Sequence, residues 1–395
     1  MMKLKCIIGL LAIFCLQRTL AQVPKLILLD PNHMVAQKNN FKNGSPTVVK
    51  EVNLVVKTAN KMLGDSPVSV MDKAFTPPSG SKHDYMSMAP YFWPDPTKPD
   101  GLPYIRKDGQ RNPEIKKISD DEFMNELTRK CKFLSLAYYF TGDEKYAAKA
   151  NQLLKVWFID TATRMNPNLN YAQAIRGVND GRGIGIIESR CLNNLIDWMA
   201  LMEGSKSFIY HEAIKTWYKQ YLNWLLTSKN GIDEHNSKNN HGTHYDTQVI
   251  ADAIFTGDKE LAKKILEGSK QRIGLQIEPD GKQPLELERT NALGYSSMNL
   301  IGWTNIAQLA DKIGVDIWNF TTPDGRSIHR AFNWLAPYAL GEKPWTYQQI
   351  GPFKKDEFYQ LLVLASNKYG DKTYADKASV IEKNDDSYLT DLLYN

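Results

Sequence analysis

The sequence has few cysteines and, beyond its N-terminal segment, no long hydrophobic run. It contains four cysteines in 395 residues, and only Cys131 and Cys191 lie beyond residue 21. Two cysteines without a Cys-x-x-Cys pair exclude a disulfide framework and a cysteine-ligated metal centre. We expect two free buried thiols rather than a bridge. The lack of a later apolar run of about twenty residues argues against a transmembrane helix there.

A large excess of one charge is also missing. The chain carries 49 Lys and Arg against 44 Asp and Glu, a net charge of +5. Lys3, Lys5 and Arg18 account for three of these positive charges, which leaves about +2 for the residues after the N-terminal segment. A whole-protein field this weak does not attract a polyanion such as nucleic acid, so we expect no nucleic-acid partner. A local basic cleft is compatible with this balance.

The N-terminal segment has the pattern of a secretion signal. Met1–Lys5 is charged, Cys6–Leu16 is apolar, and Thr19–Ala21 ends in a small residue. This pattern predicts a signal peptide over residues 1–21, cleaved near Ala21, because the run is too short for a membrane anchor. The residues before Cys15 do not form a lipoprotein cleavage site. We therefore expect a periplasmic or secreted protein that does not insert into the membrane after cleavage.

Apolar residues recur at spacings of three and four along most of the chain. Phe123, Leu127, Cys131, Leu134 and Tyr138 form one such set, and the spacing predicts amphipathic helices. Further helices are predicted over roughly 190–203, 207–227, 245–255, 258–270, 297–313, 328–340, 355–367 and 373–382. No linker rich in Pro, Gly or Ser divides residues 22–395, so a single domain is expected.

A Gly-Asp pair between two apolar helices occurs three times. The pairs are Gly142-Asp143, Gly257-Asp258 and Gly370-Asp371. Glycine ends a helix in the left-handed conformation and aspartate caps the next one, so each pair predicts an αα-hairpin. The recurrence favours an all-α fold, an incomplete α/α toroid built from helical hairpins, although Gly-Asp turns are common and the recurrence could be coincidental.

Strand-like runs are sparse, and one long segment has the composition of a loop. Val68–Val70 and Gly274–Ile277 are the candidates for short strands or extended loops. Residues 76–115 are rich in Pro, Gly and aromatics, including Ala89–Pro96. A loop of this length is usually functional or disordered, and its aromatic content favours an ordered, functional loop over the cleft.

Polar residues run directly into a predicted helix at Ser237–Asp246. Asn239, Asn240 and His241 there would aim donors and the positive end of the helix dipole at one point, which suits an anionic ligand. Alternatively, Asn240 caps the helix and His244 is a packed histidine. His241 and His244 could also face a metal, but no third ligand is nearby, so no metal is expected.

Two further segments carry candidate site residues. Arg289 and Tyr295 lie in a loop that leads into a helix, where both can point into one cleft; alternatively, Arg289 pairs with Glu286 or Glu288 and Tyr295 belongs to the core. The glycine-rich segment Asn179–Arg190 lacks the preceding strand and the lysine of a phosphate loop. We interpret it as a tight entry into a helix that presents Arg182 and Arg190, with Glu188 holding an arginine in place.

Four of these features together resemble the alginate lyase superfamily. They are Asn239–His241, Arg289–Tyr295, Arg182–Arg190 and the aromatic loop Tyr85–Asp95. Over roughly residues 80–340 the chain is similar to polysaccharide lyase family 5 and its relative, family 38. The resemblance implies an α/α toroid. The spacing of six between Arg289 and Tyr295, where family 5 has seven, favours a sister family.

The resemblance implies metal-independent β-elimination on a uronate polysaccharide, without a cofactor. The substrate would be alginate (polymannuronate or mixed mannuronate/guluronate) or a related polyuronate, and the product a 4,5-unsaturated uronate. Asn240, His241 and Arg289 would neutralise the substrate carboxylate, and Tyr295 would act as base and acid, with its pKa lowered by Arg289 or His241. For guluronate, His241 could be the base. The expected substrate-binding residues are Arg182, Arg190, Tyr85, Tyr91, Trp93, Asn239 and His244, although Trp93 could instead pack the loop onto the toroid.

Three alternatives stay open at this point. The enzyme could be a glucuronan-type lyase. A glycoside hydrolase on the same toroid would need a carboxylate pair, either Asp180 with Glu188 or Glu286 with Glu288. A non-catalytic glycan-binding protein would need neither. The sequence leaves the oligomeric state open.

Overall fold

The computed structural model describes residues 23–353, 355–382 and 387–395. Its regular structure is almost entirely helical. The helices are α1 Pro31–Lys42, α2 Pro46–Met62, α3 Asp120–Thr141, α4 Glu144–Leu154, α5 Cys191–Ala200, α6 His211–Thr227, α7 Lys229–His235, α8 Asn240–Thr256, α9 Lys259–Gln276, α10 Pro284–Leu287, α11 Ala292–Asp311, α12 Ile328–Ala339, α13 Lys355–Tyr369, α14 Lys372–Ser379 and α15 Ser387–Tyr394.

The three Gly-Asp turns are helical hairpins, as predicted. Gly142, Gly257 and Gly370 have φ values of 72°, 95° and 65°, which glycine adopts without strain. Each following aspartate accepts a backbone N–H of the next helix through its side chain. The turns join α3 to α4, α8 to α9 and α13 to α14, and in each hairpin the two helices pack together.

Helix α8 packs against several other helices. It packs against α6, α9 and α11, while α3 packs against α2, α4 and α5. One hydrophobic cluster includes buried residues from Leu26 to Leu393, so its side chains come from both ends of the chain. Helices α8 and α11 thus lie side by side, with Gly302 of α11 beside Thr243 and His244 of α8.

The described strands form two small pairs near the loop. Met86–Met88 (β1) pairs in parallel with Tyr171–Ala174 (β4), and Phe92–Trp93 (β2) pairs antiparallel with Ile105–Arg106 (β3). These pairs order the segment 76–115, which is otherwise irregular, as predicted. The strand or loop expected at Gly274–Ile277 is wrong, because Gly274 to Gln276 form the last turn of α9.

The residues before α1 are held by side chains of α5 and α11. The backbone N–H groups of Ile27, Leu28 and Leu29 donate to the buried carboxylate of Asp197 at 2.6–3.0 Å. Burial raises the pKa of Asp197 to about 6, against the opposing effect of these three donors. Gln308 in α11 donates to the Leu28 carbonyl at 3.0 Å. This N-terminal strap therefore joins α5 to α11.

A buried ion pair anchors the start of the loop. Lys73 Nζ lies 2.8 Å from the Asp120 carboxylate, and both side chains are fully buried. Asp120 also accepts the N–H of Met86 at 3.0 Å, so it holds β1 in place. Burial raises the pKa of Asp120 to about 6 and lowers that of Lys73, which shows that burial outweighs the attraction within the pair.

Two expectations from the sequence concern cysteines and membranes. Cys131 and Cys191 are free, as expected, and burial raises the pKa of both thiols. None of the helices described here is long and apolar enough to cross a bilayer. The predicted signal peptide, residues 1–21, lies outside the described residues.

Candidate active site

A cavity of about 1030 Å³ lies between the loop, the 182–190 segment and the first turns of α8 and α11. Its lining includes six basic side chains and three carboxylates. The basic residues are Arg106, Arg111, Lys116, Arg182, Arg190 and Arg289, and the acids are Asp121, Glu122 and Glu188. Cations concentrated in a concave surface attract an anionic ligand, although the whole chain is nearly neutral.

His241 reaches the cavity from the first turn of α8. Asn239 caps this helix, because its Oδ1 accepts the N–H of His241 at 3.2 Å, and both residues line the cavity. His241 Nδ1 lies 2.8 Å from the buried carboxylate of Glu234 in α7. A carboxylate only accepts hydrogen bonds, so Nδ1 carries the proton and Nε2 of the neutral ring has a free lone pair.

Tyr295 lines the same cavity from the first turn of α11. Its hydroxyl donates to the Tyr91 hydroxyl at 2.7 Å, and the Arg289 guanidinium lies 3.7 Å from its ring centroid. Burial, together with the Tyr91 hydrogen bond, raises the pKa of Tyr295, and the positive charge of Arg289 only partly opposes this. The expected lowering of the Tyr295 pKa is therefore wrong, and the side chain is a neutral phenol at neutral pH.

Arg289 pairs with a residue of the loop. Its Nε and Nη2 donate to the Asp108 carboxylate at 3.1 and 2.8 Å, and neither Glu286 nor Glu288 is its ion-pair partner. Burial acts to raise the pKa of Asp108, but the hydrogen bonds and charge of Arg289 hold it well below its usual range. Arg289 thus stacks on Tyr295 and ties the loop to the entrance of α11.

Arg182 and Arg190 both line the cavity, as predicted. Arg182 Nη2 donates to Gln173 Oε1 at 2.8 Å, and its guanidinium lies 5.1 Å from the Phe92 ring centroid. Burial lowers the pKa of Arg182 to about 10, so it stays charged near neutral pH. Arg190 Nη1 donates to the Ile187 carbonyl at 3.0 Å.

Glu188 lies on the cavity wall and bonds to hydroxyl groups. Its Oε2 accepts from Tyr85 at 2.8 Å and from Ser87 at 2.6 Å. Burial, with the nearby Asp121 carboxylate, raises the pKa of Glu188 to about 7. The expectation that Glu188 pairs with an arginine is wrong, because its hydrogen-bond partners are the Tyr85 and Ser87 hydroxyls and the Gln173 amide rather than a guanidinium.

A model of the alginate lyase family matches residues 69–345, which include every lining residue of the cavity. The chain belongs to the alginate lyase family. It is therefore an enzyme, a polysaccharide lyase. A search of curated proteins finds no match.

Solved structures agree with the family assignment. The chain is similar to an alginate lyase from Bacteroides ovatus, with 42% identity and a TM-score of 0.90 over 94% of this chain and all of the other. It also matches alginate lyase A1-III from Sphingomonas species A1, with 16% identity and a TM-score of 0.58 over 93% and 97% of the two chains. A His→Ala variant of A1-III complexed with a tetrasaccharide matches at 16% identity, with a TM-score of 0.60 over 94% and 97%. These matches confirm the helical toroid fold.

Two residues of the Ser237–Asp246 segment lie behind the cavity wall of this lyase. Asn240 is fully buried, and its backbone N–H and Nδ2 donate to Glu286 at 2.6 and 2.7 Å. The structure does not support its predicted role as a direct donor to a substrate carboxylate. His244 is also buried, and burial lowers its pKa to about 3. Its predicted substrate contact is wrong, because it is a packed histidine against Gly302.

The aromatic residues of the loop divide into two groups. Tyr91 and its neighbour Phe92 line the cavity, whereas Tyr85 and Trp93 do not. Tyr85 is fully buried, so its predicted stacking on a sugar is wrong. The Trp93 indole N–H donates to the Gln110 carbonyl at 2.9 Å. This contact lies within the loop, whereas the alternative interpretation expected Trp93 to pack the loop onto the toroid.

Four polar partners were missed by the sequence interpretation. They are Glu234, Asp108, Gln173 and Glu286. Each lies far from its partner in the chain or in a different element, so neither helical nor strand spacing indicates the contact. Gln173 also has a φ of 50°, the only positive φ outside glycine among the described residues. Such strained backbone often marks a functional site.

Proposed function

We propose that this lyase cleaves 1,4-linked uronate polymers of the alginate type, polymannuronate or mixed mannuronate/guluronate, by β-elimination. The new chain end would be a 4,5-unsaturated uronate. The observation that carries the proposal is that His241 and Tyr295 line one cavity whose charged residues are mainly basic. We also propose that residues 1–21 direct export of the protein, because a polymeric uronate substrate is met outside the cytoplasm.

The basic side chains address the first difficulty of the reaction. Removing the C5 proton beside a carboxylate adds negative charge to a group that already carries one. Positioned donors that bind this developing charge are worth roughly 3–4 kcal/mol each. Arg289 has one guanidinium nitrogen, Nη1, outside its contacts with Asp108, and Arg182 and Arg190 lie in the same cavity. These groups would hold the uronate carboxylates.

Tyr295 is suited to protonate the leaving oxygen. Its phenol is neutral because burial raises its pKa, so it carries the proton that O4 needs when the glycosidic bond breaks. The hydrogen bond to Tyr91 orients the hydroxyl. Because burial raises the Tyr295 pKa, the phenolate left after this transfer is a strong base that regains a proton readily after turnover.

The stereochemistry of the substrate selects the base. In guluronate the C5 proton and O4 lie on opposite faces of the ring, so two groups are needed, and His241 Nε2 would take the proton while Tyr295 protonates O4. In mannuronate both lie on the same face, so Tyr295 would first give up its own proton to solvent, then take the C5 proton and pass it to O4, while His241 binds the carboxylate. Glu234 supports either role, because it fixes the proton on Nδ1.

Neither of the two carboxylate pairs predicted for a glycoside hydrolase lies in the cavity. Glu188 lines the cavity but Asp180 does not, and Glu286 faces Asn240 while Glu288 lies outside the lining. Hydrolysis needs two carboxylates across the scissile bond. The family assignment also favours elimination.

Ultraviolet absorbance tests the proposal directly, because the unsaturated uronate conjugates a double bond with the carboxylate. The protein is incubated with polymannuronate, polyguluronate, mixed alginate and glucuronan. We expect absorbance to rise on at least one alginate polymer and to be lost in Tyr295→Phe. Tyr338→Phe, outside the cavity, serves as the matched control. Activity on glucuronan alone would show that glucuronan, and not alginate, is the substrate. Saturated reducing sugars that form without a rise in absorbance would refute elimination.

A further inference from the structure

Three buried amide side chains lie behind the cavity, between the helices that carry His241 and Tyr295. They are Gln276 at the end of α9, Gln283 before α10 and Asn299 in α11, and their exposed fractions are 3%, 1% and 1%. We call them the amide chain. None of them lines the cavity, so they do not contact a ligand bound there.

The first link holds the segment of His241. Gln276 Nε2 donates to the carbonyl of Asn239, two residues before His241, at 2.9 Å. Gln276 Oε1 accepts from Thr243 in the first turn of α8 at 2.9 Å. The side chain of Gln276 therefore bonds on both sides of His241, to the cap residue before it and to the helix after it.

The second link holds the segment of Tyr295. Asn299 Nδ2 donates to Gln276 Oε1 at 3.1 Å and to Gln283 Oε1 at 2.8 Å. Gln283 Nε2 then donates to the carbonyl of Ser296, the residue after Tyr295, at 3.1 Å. A continuous path of hydrogen bonds thus connects the backbone beside His241 to the backbone beside Tyr295.

Neutral amides suit this task for a physical reason. Each amide offers a donor and an acceptor in one rigid plane, so a chain of amides fixes both distance and orientation. A buried charge in this position would add a field to a site that must bind an anion, and its geometry would change with pH. The amide chain has neither effect.

We propose that the amide chain sets the distance between His241 and Tyr295, and that Gln276 and Asn299 are positioning residues for the elimination reaction. This inference rests on the proposed function, because it assigns both side chains to one reaction. A displacement of about 1 Å between reacting groups can cost a factor on the order of a hundred in rate. Arg182 and Arg190, which would hold the uronate carboxylates, lie outside the amide chain, so we expect the amide chain to affect kcat more than KM.

The test compares two glutamines of similar environment. Gln276→Met removes the bonds of Gln276 at nearly constant shape. Gln308→Met is the control, since Gln308 is also a buried glutamine that donates to a backbone carbonyl, that of Leu28, but in the N-terminal strap. We expect kcat to fall roughly tenfold to a hundredfold in Gln276→Met, with KM within about twofold of wild type, and no such fall in Gln308→Met.

A second measurement does not depend on turnover. The protein has seven histidines, so the His241 imidazole signal can be assigned in a histidine-labelled sample by its loss in His241→Ala. Gln276→Met should shift this signal, and Gln308→Met should leave it unchanged. An unshifted signal, or a wild-type kcat in Gln276→Met, would overturn the inference. If Gln276→Met shifts the signal but the wild-type protein cleaves no uronate polymer, the proposed function is refuted. The amide chain then still positions His241.

Discussion

At the scale of single residues, Glu234 decides which nitrogen of His241 faces the cavity. Its carboxylate accepts from Nδ1 at 2.8 Å and is itself buried, so the ring is fixed in orientation and tautomer. Neighbouring carboxylates of this kind also stabilise the ring once it has gained a proton. The contact keeps the His241 Nε2 atom available for the role proposed for it.

Replacing Glu234 by Gln should therefore affect the two alginate units differently. An amide both donates and accepts, so it no longer selects the tautomer with a free Nε2. We expect kcat on polyguluronate to fall at least roughly tenfold, and kcat on polymannuronate to fall less, because Tyr295 rather than His241 is the proposed base there. Initial rates by absorbance measure both. Glu203→Gln, beside the surface residue His211, is the control and should leave both rates unchanged. Equal losses on the two polymers would contradict the division of roles.

Glu188 gives the protein a pH-dependent stability. Burial raises its pKa to about 7 in the folded state, whereas an unfolded glutamate titrates near pH 4.3. Its favourable contribution is complete below the unfolded pKa and is lost as pH rises through about 7. Glu188→Gln should therefore gain stability relative to wild type by roughly 2–3 kcal/mol between pH 5 and pH 8. Urea unfolding at both values measures this gain, and Glu212→Gln, an exposed control, should show none. A gain toward low pH would show that the sign is wrong.

At the scale of elements, the loop is attached to the toroid through Asp108. This residue holds Arg289 by two hydrogen bonds and also accepts the Thr290 hydroxyl at 3.1 Å. Because Arg289 stacks on Tyr295, the loop and the proposed acid share one contact. The position of the loop therefore affects the position of the Tyr295 phenol.

Asp108→Asn should loosen the loop and reduce activity together. The amide keeps one acceptor but loses the charge that Arg289 pairs with, and breaking a half-buried pair costs about 1–3 kcal/mol. We expect faster limited proteolysis within residues 76–115 and a lower kcat. Asp324→Asn, which breaks the more exposed pair with Arg326, should change neither quantity. Faster proteolysis without a change in kcat would separate the loop from the chemistry.

Two glycine substitutions in the α8–α9 hairpin should change the stability of the protein in opposite directions. Gly257 has a φ of 95° and open space around it, so an alanine there is strained rather than crowded. Gly257→Ala should destabilise the protein by roughly 1–2 kcal/mol. Gly268, inside α9 and equally uncrowded, has an ordinary helical φ, and Gly268→Ala should stabilise by about 0.5–1 kcal/mol. Thermal unfolding compares the two, and effects of the same sign would refute the left-handed turn.

The helices could be predicted from the sequence, but the polar contacts of the site could not. Apolar spacing and the Gly-Asp pairs are local signals, so α3, α4, α8 and α9 follow from them. The contact of Arg289 with Asp108 spans 181 residues and depends on how helices pack. The same is true of Tyr85, whose aromatic ring is compatible with either a sugar or a core until its burial is known.

At the scale of the whole molecule, the net charge is small, but basic side chains are concentrated in the cavity. A net charge of +5 over the full chain coexists with a cavity lined by six basic residues. Attraction of a polyanion to such a cavity weakens with salt over the Debye length, about 10 Å at 0.1 M. We expect KM for alginate to rise with ionic strength while kcat changes little. Arg182→Met should flatten this dependence, and Lys57→Met, an exposed residue of α2, should not. Parallel salt curves for Arg182→Met and wild type would contradict the cavity field.

The N-terminal strap has a consequence for the order of folding. Its N–H groups need Asp197, and its carbonyls need Gln308 and Lys312, which follow Leu28 and Leu29 by 280 and 283 residues. During synthesis on the ribosome, the Leu28 and Leu29 carbonyls must stay without these two partners until residues 308–312 have been made, although Asp197 is available earlier. Contacts of such separation are slow to form, since the loop must close before they stabilise anything. The strap, although it is synthesised early, thus completes its contacts late.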